Sequence, residues 1–205
     1  MNASGKFTSI QDRIRKTVRQ TVKKVNKRLP IDNIDIVFKV DYNGMLKDID
    51  GIGGFSPADD YVQIALDFTY PNLKKILDKY VERTLIHELH HTQRYKANQL
   101  GNTLFEFMIS EGLADYFVFE ITGAAPKWAK VLSDKQKKVM FKKAMPEMNK
   151  KIFSYEDWFI CGSKKRNIPK WAGYSLGFEL VRLYLEKHPQ LDAAKLTQAS
   201  ARKFK

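Results

Sequence analysis

The feature that most constrains this chain is the run Thr84-Leu85-Ile86-His87-Glu88-Leu89-His90-His91. His87 and His91 stand four residues apart, with Glu88 directly after the first. On an α-helix, positions four apart lie one above the other on a single face. Two imidazoles so placed reach one metal ion, and the adjoining carboxylate reaches a water beside it. The pattern therefore needs a helix, and Leu73, Ile76, Leu77, Tyr80, Val81, Leu85 and Leu89 give one a buried stripe from 72 to about 98.

H-E-x-x-H is the spacing of two zinc ligands with a general base between them. A catalytic zinc takes a third protein ligand and keeps one position open. Twenty residues after His91 comes Ser110-Glu111-Gly112-Leu113-Ala114-Asp115-Tyr116, again with two carboxylates four apart. The surrounding residues, Leu104 to Phe119, are apolar nearly all round, as in a buried helix. Two buried carboxylates on one face are costly unless something pairs with them. A metal for Glu111 and a histidine N–H for Asp115 would meet that cost.

H-E-x-x-H followed by nineteen residues, Glu, and an Asp four later resembles the gluzincin metallopeptidases, of which thermolysin is the best-known member. The resemblance implies one zinc ion (Zn2+) per chain on His87, His91 and Glu111, with Glu88 as general base. It also implies that Asp115 orients the first histidine. A Tyr or His from beyond the ligand helix serves the oxyanion in that group. Tyr174, within Trp171-Ala172-Gly173-Tyr174-Ser175-Leu176-Gly177, is the matching candidate, against the reading that it merely begins a helix. From about residue 31 to 187 the chain also resembles a bacterial family of predicted zinc peptidases carrying a domain-of-unknown-function label. The shared motifs are Gly53-Gly54-Phe55-Ser56, His87 to His91, Glu111 to Asp115, and Trp171 to Gly177. In zincin-like folds the strand before the metal helix lies at the sheet edge and pairs with extended substrate. By that resemblance Gly53, Gly54, Phe55 and Ser56 line the cleft; the other reading is a bulge or turn at Gly53-Gly54.

The rest of the chain reads as an α+β domain, mostly helical and zincin-like, with one small antiparallel or mixed sheet. Phe7, Ile10, Ile14, Val18, Val22, Val25 and Leu29 recur at helical spacing, so residues 8–29 form an amphipathic helix ended by Pro30. Residues 1–30 are thus a basic N-terminal helix and 31–205 the metallopeptidase domain, one globular unit overall. Ile34 to Val40 alternates as a strand, and residues 52–56 and 61–66 read as an antiparallel pair. Thr103 and Glu106 have the form of a capping box. Residues 134–144 and 174–185 are further helices, 150–170 are irregular, and 191–203 read as a short terminal helix.

The net charge is +13, from 36 Lys and Arg against 23 Asp and Glu. It is uneven: nine basic residues and one acid fall in 1–30, and nine lysines and two acids in 127–151. The sharper reading is an acidic partner such as nucleic acid, an anionic membrane or an acidic substrate. The plainer one is solvated helix faces, and it is preferred because no nucleic-acid-binding motif is present. Peripheral contact of the first helix with an anionic membrane ranks below packing of its apolar stripe on the domain. No apolar run reaches the ~18 residues of a membrane span, and Met1 to Phe7 lacks a signal-peptide core. Cys161 stands alone, so no internal disulfide forms. The expectation is a cytoplasmic protein, unless a leader has been trimmed.

The expected activity is zinc-dependent hydrolysis of peptide bonds in a peptide or protein substrate. The alternatives are an inert zinc-stabilised binding module, or a zinc amidase acting on a non-peptide substrate. His90 falls outside the ligand spacing and reads as lining. His188 reads as a helix cap, Lys164-Lys165-Arg166 as a basic loop, and Cys161 as a small buried side chain.

Overall fold

Alternating apolar residues form the sheet expected of them: β1 (Asp35–Val40), β2 (Ile52–Phe55) and β3 (Tyr61–Leu66). The structure, a computed structural model, describes residues 4–205. The strand order is β1-β3-β2, with β3 parallel to β1 (Asp35 opposite Tyr61) and antiparallel to β2 (Ile52 opposite Leu66). The sheet is therefore mixed, and the fold is α+β and mostly helical. On β3, Val62, Ile64 and Leu66 point into the core with no exposure, and Ile52 of β2 joins them. A strand's side chains alternate faces, which is why every second residue of β3 is buried.

Two compact units divide the chain, Met1–Thr92 and Gln93–Lys205. The boundary falls inside one continuous helix, α2 (Leu73–Lys96). The first unit holds α1 (Gln11–Asn26), the sheet and most of α2. On α1 the buried residues are Ile14, Thr17, Thr21 and Val25. The two threonines turn their hydroxyls back to the Arg13 and Thr17 carbonyls at 3.0 and 2.8 Å, so no polar group is stranded. Arg13 grips Asp78 of α2 at 2.8 Å, and Lys24 pairs with Glu82. Such partly exposed pairs contribute about 1 kcal/mol at most, so the apolar stripe holds α1 in place and the pairs set its register.

The second unit contains α3 (Leu104–Thr122), α4 (Asp134–Ala144) and α5 (Ala172–Lys187). The Thr103–Glu106 capping box is formed and opens α3. The α3 and α5 helices meet backbone to backbone. A Cβ on Gly177 would lie 2.0 Å from the Met108 carbonyl oxygen, and one on Gly112 2.2 Å from the Gly177 oxygen. Leu104, Met108, Trp158, Phe159, Ala172 and Leu176 build the adjoining core.

Two expectations need correction. Residues 191–203 form turns followed by a short 3-10 helix, Ala201–Phe204, rather than an α-helix. The reason is Arg94, whose buried guanidinium takes the carbonyls of Leu196, Thr197 and Ala199 at 3.2–3.3 Å. Those acceptors converge on one side chain instead of running along a helix axis. Cys161 is exposed rather than buried, and its thiol donates to Glu156 Oε1 at 2.8 Å.

Replacing Gly177 with Ala puts a methyl group into a helix–helix contact where only backbone faces it. Overpacking of this kind costs about 3 kcal/mol. A urea melt of Gly177→Ala should show that loss, and a variant as stable as wild type would contradict the close approach.

Candidate metal centre

α2 carries a cluster of polar side chains that its length alone would leave in the core. His87, Glu88, His90, His91, Thr92 and Arg94 are all buried. The Nε2 atoms of His87 and His91 face each other at 2.9 Å, with the rings edge to face. Two nitrogens on one tetrahedral zinc stand roughly 3.3 Å apart, so the pair already points at one place. The possible ligand atoms of His87, His91 and Glu111 all lie within 4.8 Å of one another. Among the described residues this is the one group of His, Cys, Asp or Glu side chains spaced to hold a metal ion. Two neutral imidazoles and a carboxylate suit a borderline cation such as zinc. His90 is fully buried and outside that group.

Glu88 also lies outside the ligand group and is held by other means. Ser56 Oγ is 2.7 Å from Glu88 Oε2 and 3.1 Å from the Glu88 carbonyl oxygen. Gly54 stands against the same side chain: a Cβ there would lie 2.5 Å from both Cγ and Oε1 of Glu88 and 2.7 Å from Thr84 Cγ2. Gly53 is seated the same way against Leu46, 2.7 Å from a would-be Cβ. Both glycines lie within β2, neither in a bulge nor in a turn. Phe55, at the end of this edge strand, is 60 % exposed. Of the four residues assigned to substrate from sequence, Gly54 and Ser56 thus touch the carboxylate of Glu88.

In the second unit, Arg94 ties the end of α2 to the start of the Glu111 turn. Its Nε donates to Ser110 Oγ at 3.0 Å, and its Nη2 donates to the Gln99 carbonyl. Burial lowers the Arg94 pKa to about 10, so it keeps its charge at neutral pH. Glu111 accepts from the Tyr155 hydroxyl at 3.4 Å. Tyr174 sits in the same group of aromatics, edge to face with Phe159 at 5.3 Å. Burial, then the Glu111 carboxylate and the Tyr155 hydroxyl, push the Tyr174 phenol well above its usual 10.0. The phenol is therefore protonated, and a donor, throughout the neutral range.

Asp115, one turn beyond Glu111, has no exposure. Both its oxygens accept from Trp128 Nε1, at 3.1 and 3.0 Å. Sequence reasoning misses Tyr155 and Trp128, since neither belongs to a spaced motif and both follow their partners, Glu111 and Asp115, by 44 and 13 residues. Arg166 is committed elsewhere, to Glu147 and, at 2.7 Å, to Asp157. His188 caps α5, with Nδ1 2.7 Å from the Tyr184 carbonyl oxygen.

A family model described as "Predicted Zn-dependent protease (DUF2268)" matches residues 14–205. No curated protein and no solved structure matches the chain.

Trp128→Phe keeps the ring and removes the donor that Asp115 shares between its oxygens. A buried carboxylate losing a partner destabilises by roughly 1–3 kcal/mol. Urea denaturation of Trp128→Phe should show a loss in that range; no change would mean that Asp115 leans on other donors.

Proposed function

Because the chain belongs to the family of predicted Zn-dependent proteases, we propose that it is a gluzincin-type zinc metallopeptidase that hydrolyses peptide bonds with one zinc ion per chain. The observation that carries this reading is the convergence of His87, His91 and Glu111, with Glu88 held apart from them by Ser56. A purely structural site needs no separately held carboxylate beside its ligands. His87, His91 and Glu111 would hold the ion. When bound, zinc supplies a Lewis acid that polarises a carbonyl and lowers the pKa of a water to about 7.

The chain's own groups do the rest. Glu88 takes a proton from the attacking water and returns it to the departing amine. The Ser56 hydroxyl fixes one oxygen of that carboxylate, leaving the other for the water. Gly54 lets β2 lie close enough for this, since any side chain there would displace Glu88. Tyr174 is the donor assigned to the oxyanion, with Tyr155 as the second hydroxyl beside Glu111. Asp115 serves as the outer carboxylate that orients a ligand histidine. β2 is an edge strand ending in an exposed Phe55, a form suited to pairing with an extended peptide substrate.

The test combines metal analysis with digestion of a peptide library. Wild type should retain one zinc per chain and cleave. Glu111→Ala should lose the metal. Glu88→Gln should keep it while turnover falls by about a hundredfold or more, the usual worth of a general base. Gly54→Ala should resemble Glu88→Gln, with zinc kept and kcat reduced. Zinc retention without cleavage of any peptide would instead support a binding module, and cleavage of non-peptide amides alone would support an amidase.

A further inference from the structure

A stripe of cations on α1 takes no part in the site described above. Arg15, Arg19, Lys23 and Lys27 follow one another at four-residue spacing, and all four are exposed. Like charges four apart on a helix repel and destabilise it. Lys24 on the neighbouring face answers Glu82, but Arg19, Lys23 and Lys27 have no ion pair among the described residues, and Arg15 only a loose one to Asp12 at 3.9 Å. Beside the stripe runs an apolar trough of about 520 Å³, continuous with a second of about 570 Å³ through Val18 and Arg19. Its floor is Ile14, Val18, Val22, Ile36 and Phe38, and its rim carries Arg15, Arg19, Lys23 and Lys27. Ile36 and Phe38 come from β1, the strand at the opposite edge of the sheet from β2.

We propose that this trough is a docking site for an acidic, extended segment of another protein, which adds to the β1 edge and lays carboxylates along the Arg15–Arg19–Lys23–Lys27 stripe. Two observations argue for this occupant. The lining carries four cations, two neutral amides (Gln11 and Asn26) and no carboxylate, so the partner is acidic. The floor takes Ile36 and Phe38 from β1, a strand paired on one side only, so the backbone groups of its outer edge are offered to an extended peptide and not to a bilayer. A second copy of this chain is a poor partner for that rim, since it brings a net charge of +13. Edge strands accept such added segments, with side-chain pockets giving selectivity.

The probe is a labelled twelve-residue peptide of alternating Glu and Val, titrated by fluorescence anisotropy into the full chain at physiological salt. Arg19→Gln/Lys23→Gln should weaken binding by about tenfold, and Val18→Asp should do so as well. Lys135→Gln/Lys138→Gln removes the same charge from the exposed face of α4 and should weaken it by no more than about twofold. The Arg19→Gln/Lys23→Gln protein should also melt at a higher temperature than wild type, because the repulsion along α1 is relieved. That opposite movement of stability and binding separates lost recognition from lost folding. Equal weakening by the α1 and α4 variants would reduce the effect to general charge attraction and overturn the proposal. So would absence of peptide binding, or binding of phosphatidylserine vesicles that shows the same dependence on Arg19 and Lys23 while the peptide does not.

Discussion

A helix that buries His87, Glu88, His90, His91, Thr92 and Arg94 within two turns needs a partner for its polar groups, and much of the structure is the set of those partners. An unpaired buried polar group costs several kcal/mol, and a charge more. The Ser56 hydroxyl answers Glu88, and Leu89's carbonyl takes the Thr92 hydroxyl at 2.8 Å. Arg94 draws on Ser110, on Gln99 and on three carbonyls of the C-terminal segment. The histidines answer each other and gather with Glu111. The path of the chain after α5 is thus set in part by one guanidinium on α2.

The motif residues that are not ligands act largely through close packing. Gly54 makes room for Glu88 and Thr84, Gly112 and Gly177 let α3 and α5 touch along their backbones, and Gly173 lies against the Phe159 ring. Gly112 adjoins Glu111, Gly173 adjoins Tyr174, and Gly54 stands two residues before Ser56. A site built from side chains on different elements is held in register by the distances between backbones, and a missing Cβ is the shortest spacer available.

Much of this was legible in the sequence because helices and strands repeat. Four-residue spacing placed His87 over His91 and Glu111 over Asp115, and the two-residue alternation of Tyr61 to Leu66 gave β3 its buried face. What periodicity does not encode is which distant backbone a side chain meets. The apolar residues between 191 and 203 suit a helix, yet their carbonyls turn to Arg94, about a hundred residues earlier in the chain. Tyr155 and Trp128 reach Glu111 and Asp115 from irregular or 3-10 segments, where no repeat marks a functional face. The sequence offers Gly53 and Gly54 as room for a substrate backbone, and the room at Gly54 is filled by Glu88 itself. The parallel pairing of β1 with β3 had no local signal either, since it rests on the crossover between them.

One zinc ion held by two histidines and one carboxylate would have a distinctive ligand shell. X-ray absorption at the zinc edge on the purified protein tests it most directly. The expected spectrum has nitrogen and oxygen neighbours at about 2.0–2.2 Å, no sulfur, and the outer-shell scattering of two imidazole rings, falling to one ring in His91→Ala. A sulfur neighbour at about 2.3 Å, fewer than two imidazoles in the wild type, or a protein that retains no zinc would contradict it.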